Sequence, residues 1–313
     1  MSKFATESGK SKGQFYTPAE VSRVTAQVLE ANKITTASTT LYDPICGSGS
    51  LLLKVASEAQ ADISIYGQEK DITTAGLAVM NMYLHNNPTA EIADGNTLES
   101  PKFLDNDKLR TFNYVVANPP FSAKSWTDRV NVENDPYERF ANGNIPPGKN
   151  GDYAFMLHVL KSMRQDGKGA IILLHGVLFR GNAESAIRQN IIKKRWIKGI
   201  IGLPANLFYG TGIPACIIVL DKAEAGTRQD IFIIDASKDF IKDGNKNRLR
   251  ECDIKKIVDC FVNQTEIERY SRFVTVEEIK SNEYNLNIPR YIDSQEKEDI
   301  SVAEWKTLGK IDI

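Results

Sequence analysis

The sequence predicts an α/β fold of the doubly wound, Rossmann-like kind, with a mostly parallel seven-stranded sheet and a terminal antiparallel hairpin. Short apolar runs alternate with stretches of helical periodicity, the pattern of repeated βα units. The runs also stop abruptly. Tyr114-Val115-Val116-Ala117 ends at Asn118-Pro119-Pro120-Phe121, and proline lacks the N–H that a sheet ladder needs. Finally, the runs Ile197 to Leu203 and Ala215 to Leu220 are joined by a return around Phe208-Tyr209-Gly210-Thr211-Gly212 that is short enough for an antiparallel pair.

Residues 1–13, rich in Ser, Lys, Gly and Thr, read as a flexible arm, and residues 14–240 as one α/β domain. Gly13-Gln14-Phe15-Tyr16-Thr17-Pro18 leads into a helix from Ala19 with Val21, Val24, Val28 and Leu29 on its apolar face. Thr17 is expected to cap it and Pro18 to occupy its first turn.

The first strand, Thr40 to Asp43, feeds the turn Asp43-Pro44-Ile45-Cys46-Gly47-Ser48-Gly49-Ser50 and then a helix carrying Leu51, Leu52, Leu53 and Val55. A strand, glycine turn and helix aim backbone N–H groups at a ligand. The turn is neither G-x-G-x-x-G nor a phosphate-cradling loop with Gly-Lys-Ser/Thr, so a nucleoside suits it as well as a phosphate. The second strand, Ile63 to Gly67, ends in Gln68-Glu69-Lys70-Asp71. An acid about 20 residues past the glycine turn is placed to accept from ribose hydroxyls, which makes Glu69 the candidate.

Ile72 to His85, with Leu77, Val79, Met80 and Leu84, reads as a crossover helix, and Glu91-Ile92-Ala93 as a short third strand ending in Asp94-Gly95-Asn96-Thr97. Asp94 suits an exocyclic amine. The fourth strand delivers Asn118 to the sheet's carboxyl edge, where open α/β sheets bind ligands. Residues 122–151 then carry little apolar periodicity, and a loop of this length in a compact domain is expected to clamp or cover a substrate. Gly169 to Leu174 is a fifth strand, Ile231 to Ile234 a further one, and 241–313 a mostly helical extension and tail.

Lys+Arg 39 against Asp+Glu 40 leaves a net charge of -1, so no overall positive field draws the chain to nucleic acid, and tight DNA binding by this chain alone is not expected. Lys193, Lys194, Arg195 and Lys198, with Lys124, Arg129, Arg180 and Arg188, are the local candidates for phosphate contact. The four cysteines form no Cys-x-x-Cys pair, and His85, His158 and His175 lack ligand spacing, so no metal site is expected. No apolar stretch nears the roughly 20 residues needed to span a bilayer, which points away from the membrane and to the cytoplasm.

Phe15 to Pro18, Asp43 to Gly49, Glu69 and Asn118 to Phe121, in this order, resemble the N6-adenine DNA methyltransferases of the gamma arrangement, specifically the modification (M) subunits of type I restriction-modification systems. The resemblance covers roughly residues 13 to 290 and implies the S-adenosylmethionine-dependent methyltransferase version of the fold. It implies that Gln14, Phe15, Tyr16, Thr17, Pro18, Asp43, Gly47, Ser48, Gly49 and Ser50 surround the methionine part of S-adenosyl-L-methionine, that Glu69 holds the ribose and Asp94 the adenine amine. The substrate implied is double-stranded DNA with a flipped adenine. Asn118 and Pro119 would accept from its N6 amine, Pro120 would stiffen the element and Phe121 would stack on the base.

The implied partners are a specificity (S) subunit, a second M subunit and a restriction (R) subunit. Family members commonly carry a helical domain ahead of the cofactor motifs and a helical tail; this chain has a short arm and stops at Ile313, as a truncated or reduced relative would. The Asn-Pro-Pro clamp is shared with RNA and protein-glutamine methyltransferases, and a catalytically idle scaffold would keep the same fold, so these readings stay open here.

Overall fold

The computed structural model describes residues 17–141, 143–209 and 211–293. Gln14, Phe15 and Tyr16 of the expected cofactor element lie outside the described residues. The main sheet holds nine strands: β1 Thr40–Asp43, β2 Ser64–Glu69, β3 Glu91–Asp94, β4 Phe112–Ala117, β5 Met163–Leu174, β6 Ile197–Gly202, β7 Ala215–Asp221, β8 Asp230–Asp235 and β9 Ser271–Thr275. Their spatial order is β9-β8-β6-β7-β5-β4-β1-β2-β3. The parallel sheet with an antiparallel β6–β7 pair is as expected. The pair is not terminal, however, because β8 joins β6 in parallel and β9 joins β8 in antiparallel. β9 reads Ser-Arg-Phe-Val-Thr, too polar and short to announce a strand; its ladder to Asp230–Ile234 makes it one.

Among the described residues seven helices accompany the sheet: α1 Ala19–Val28, α2 Ser50–Glu58, α3 Ile72–Leu84, α4 Asp152–Ser162, α5 Asn182–Lys193, α6 Glu251–Val262 and α7 Val276–Ser281. α1 packs on both α2 and α6. Their apolar sides meet one sheet face in a core that includes Val24, Leu52, Ile217 and Phe261. The opposite core includes Tyr42, Val115, Met156 and Ile187, so α4 and α5 cover the other face. Leu52 is wholly buried, and truncating such a residue to Ala costs ~2–5 kcal/mol through lost transfer energy and the cavity left behind.

α3 departs from a simple amphipathic reading. Its buried side is mostly small or polar, Thr74, Ala75, Ala78 and Asn81, joined by Met82, whereas Leu77, Val79, Met80 and Leu84 are exposed. Ala78 and Met82 pack close on the glycine turn: a Cβ on Gly49 would stand 2.6 Å from Met82 Cε and 3.7 Å from Ala78 Cβ. The other large apolar side chains of α3 face outwards.

β1 has β2 on one side and β4 on the other, so chain order reverses at β1. A crevice therefore opens past the carboxyl ends of β1, β2 and β4. Asp43, Glu69 and Asn118 sit at or just beyond those three ends.

Candidate active site

A cavity of about 410 Å³ occupies this crevice, within the size range of small-molecule sites. Asp43, Gly47 and Ser50 line it from β1 and the glycine turn, Glu69 from β2, and Thr17, Asn118 and Pro120 from the opposite side. Thus the cavity gathers seven of the residues expected from sequence.

The turn owes its path to backbone that only glycine adopts without strain. Gly47 has φ 54° and Gly49, which begins α2, has φ 79°. Glu69 secures the same turn: its Oε2 accepts from Gly47 N at 3.0 Å and its Oε1 from Asp71 N at 2.9 Å. Asp43 Oδ1 accepts from Ile45 N at 2.9 Å. Each carboxylate therefore shapes backbone while keeping further lone pairs for a ligand.

Both acids are buried at the cavity wall. Burial, with the nearby Glu69 charge adding to it, pushes the Asp43 carboxyl up to about 8, against the single Ile45 N–H that favours its charged form. Burial also raises Glu69, opposed by the backbone N–H groups it accepts from. A ligand bearing positive charge or hydroxyl donors would favour the ionised forms of both.

Asn118 is held from one side only. Its Nδ2 donates to Thr17 Oγ1 at 2.9 Å, while its Oδ1 is sealed from solvent and has no hydrogen-bond partner among the described residues. Thr17 was expected to cap α1, but Pro18 occupies the cap position without a side-chain bond. The hydroxyl serves Asn118 instead. An orphaned amide oxygen costs ~1–3 kcal/mol, so the site can accept a donor that the described residues do not supply.

The remaining expected residues fall outside the lining. Ser48 gives its carbonyl to Asn81 Nδ2 at 2.8 Å and, with Gly49, shapes the turn. Pro18 begins α1, and Pro119 is buried. Asp94 is exposed; the wall there is made by Gly95, Asn96 and Thr97, because the chain turns at Gly95 with φ 132° once β3 ends. Phe121 lies beyond the cavity, edge-on to Phe208 with ring centroids 5.3 Å apart and planes at 80°.

Several contributors carry no local sequence signal. Gln68, wholly buried, donates to the carbonyls of Gly95 and Ser100 at 3.1 and 2.9 Å and accepts from Lys102 N at 3.0 Å, pinning the 95–102 wall. Phe155 of α4 adds an apolar surface. Phe208 was legible only as part of a connection between strands.

Residues 122–151 contain no helix or strand among those described, yet their ends are clasped: Ser122 N donates to Asp152 Oδ1 at 2.8 Å and Gly151 N to Ala123 O at 2.9 Å. Trp126 is buried against Phe140 and donates to Pro147 O at 2.8 Å. Two of the arginines expected at phosphates are engaged elsewhere. Arg180 pairs with Asp152 and Glu184 at 3.0 Å, and buried Arg188 donates to the carbonyls of Val177, Arg180 and Tyr284. Lys124 and Arg129 stay exposed on the loop.

A profile of the N-6 DNA methylase family matches residues 1–300. The chain is 35% identical over 315 residues to the type I restriction enzyme MpnII methylase subunit of Mycoplasma pneumoniae, covering 96% of this chain and 57% of that protein. It is 36% identical over 329 residues to the type I restriction enzyme MjaVII methylase subunit of Methanocaldococcus jannaschii, covering 99% and 55%. Among solved structures, the methyltransferase subunit of a type I restriction-modification system from Streptococcus thermophilus matches with TM-score 0.85 and 38% identity, over 94% of this chain and 62% of that one. The chain thus spans little more than half the length of these curated relatives.

Proposed function

Because the chain belongs to the N-6 DNA methylase family, we propose that it transfers a methyl group from S-adenosyl-L-methionine to N6 of an adenine flipped out of double-stranded DNA. The observation that carries this reading is Asn118 Oδ1, unpartnered among the described residues, on a residue that lines a cavity walled by Asp43 and Glu69.

The residues present fit that cofactor. Three carboxyls, Asp43, Glu69 and Asp71, and one lysine, Lys70, line the cavity, a donor set suited to a ligand with cationic and hydroxyl groups. Ile45, Leu51, Pro120 and Phe155 supply apolar surface for a nucleobase. Glu69 holds the ribose in this reading, and Asp43 with the 47–50 turn the amino-acid part. The 95–97 wall serves the adenine end in this reading, with Asp94 at the exposed end of β3 just ahead of it. When bound, the cofactor supplies an activated methyl on a sulfonium, so the protein's task is chiefly positioning.

A conjugated exocyclic amine is a weak nucleophile. Thr17 fixes the Asn118 amide through Nδ2, and in this reading Oδ1, unpartnered among the described residues, accepts an N–H from the target amine. A second acceptor, the Pro119 carbonyl, would draw the other proton and push the nitrogen towards tetrahedral geometry. Its lone pair is then free, and the developing positive charge is stabilised by preorganised dipoles. Phe121, with Phe208 against its edge, offers a face on which the flipped base stacks, recovering part of the unstacking cost.

The complex proposed is that of a type I modification subunit with a specificity subunit, a second M subunit and a restriction subunit. The near-balanced charge supports a partner that selects the DNA sequence. The exposed face of α3 supports a partnered surface, since Ile72 is 73%, Tyr83 63% and Leu84 67% exposed. Among the described residues no helix is long and apolar enough to cross a membrane, and we place the enzyme with its DNA in the cytoplasm.

The test is methyl transfer from labelled S-adenosylmethionine to adenine-containing DNA, RNA and protein, with and without a candidate specificity subunit. Label in DNA that depends on that subunit supports the reading. Label confined to RNA or protein refutes it, and specific methylation of one DNA motif by this chain alone refutes the partner's role.

A further inference from the structure

Arg139 lies in the loop that follows Asn118-Pro119-Pro120-Phe121, yet its side chain is 1% exposed and reaches the cavity wall. All five of its N–H groups are used. Nε and one Nη2 proton clasp Asp135 at 2.9 and 2.7 Å. The other Nη2 proton goes to Leu98 O at 2.8 Å, and Nη1 donates to Thr97 O at 3.2 Å and to His158 Nδ1 at 3.3 Å.

Arginine only donates, so His158 Nδ1 must accept and the ring carries its proton on Nε2. Burial and the Arg139 charge keep the imidazole neutral. Nε2 faces Thr97 Oγ1 at 3.3 Å and Tyr42 OH at 3.5 Å. His158 is wholly buried on α4, so its ring orientation is fixed. One guanidinium therefore sets both the backbone of residues 97–98 and, through His158, the hydroxyl of Thr97, which lines the cavity.

We propose that Arg139 and His158 are positioning residues that hold Thr97 and its wall in the form that binds the cofactor, tying the substrate-side loop to the cofactor cavity. This rests on the reading of that cavity as the S-adenosylmethionine site. A lysine cannot replace Arg139, because one ammonium cannot span Asp135, two carbonyls and an imidazole together.

The test is calorimetric titration of S-adenosylhomocysteine into wild type, Arg139→Lys and the near-isosteric His158→Gln, each also in a Thr97→Val background, with kcat at saturating cofactor and thermal melts alongside. Each single change is expected to weaken binding about fivefold or more, the low end of measured couplings between sites, with kcat held within about threefold. In the Thr97→Val background His158→Gln is expected to add less than about twofold, as coupled positions do, whereas Arg139→Lys, which also loses the carbonyls of Thr97 and Leu98, still weakens binding. Unchanged affinity with only a lower melting temperature overturns the proposal, as does a full independent loss for His158→Gln in the Thr97→Val background. A wild type that binds no S-adenosylhomocysteine overturns the cofactor reading, and this inference with it; a wild type that binds while its variants are indifferent overturns this inference alone.

Discussion

Asn118 and Thr17 lie 101 positions apart, and their side chains are joined by a 2.9 Å hydrogen bond from Nδ2 to Oγ1. This bond decides which end of the amide is left over. With one Nδ2 proton engaged, Oδ1 is left buried and unpartnered among the described residues. Thr17→Val keeps the shape and removes the acceptor. Methyl transfer is expected to fall ~10-fold, the cost of one misplaced positioning contact of ~1.4 kcal/mol, with cofactor affinity little changed. Thr17→Ser should restore most of the rate. Single-turnover rates at saturating cofactor check it.

Asp43 links the cavity to pH. Its ordinary value is 3.8 and its folded value is about 8, so between these limits the folded state binds a proton that the unfolded chain releases. The sign follows: this group's stabilising contribution is full below about pH 4 and is lost as pH rises towards 8. The slope is up to ~1.4 kcal/mol per pH unit. The ligand-free Asp43→Asn variant should lose that part of the pH dependence, as read from urea midpoints between pH 5 and 8. An identical slope in wild type and variant would remove burial as the cause.

Gly49→Ala should destabilise by ~1–3 kcal/mol, because a non-glycine residue in left-handed backbone is strained. The site adds a second penalty, since the new methyl would meet Met82 Cε at 2.6 Å. Urea denaturation of the full chain measures this. Gly76→Ala is the control: its added Cβ meets nothing within 4 Å, and alanine is the better helix former by up to ~1 kcal/mol, so it should hold or raise stability.

The pattern of strand ends made Asp43, Glu69 and Asn118 legible, because short apolar runs stopped by polar or proline turns report directly where a parallel strand delivers its last residue. The glycine turn was legible for the same reason. Thr17 was not. A hydroxyl ahead of an apolar helix satisfies the local rule for a cap, and only the tertiary approach of β4 turns it towards Asn118. Gln68, Thr97 and Arg139 were invisible because their work is contact with backbone carbonyls and buried side chains distant in sequence, which no spacing encodes. α3 misled through composition: Leu77, Val79, Met80 and Leu84 face out, and Ala75, Ala78 and Met82 face in. Strand β9 went unread because its pairing with β8, not its own residues, makes it a strand.

The central claim is that the free oxygen of Asn118 accepts from the amine being methylated. Its most direct test is the transfer rate of Asn118→Ala on target DNA, measured beside its affinity for S-adenosylhomocysteine. The account predicts near-normal affinity with transfer lowered ~100-fold or more, the scale of losing one preorganised charge-stabilising contact. A variant that methylates adenine at close to the wild-type rate would contradict it.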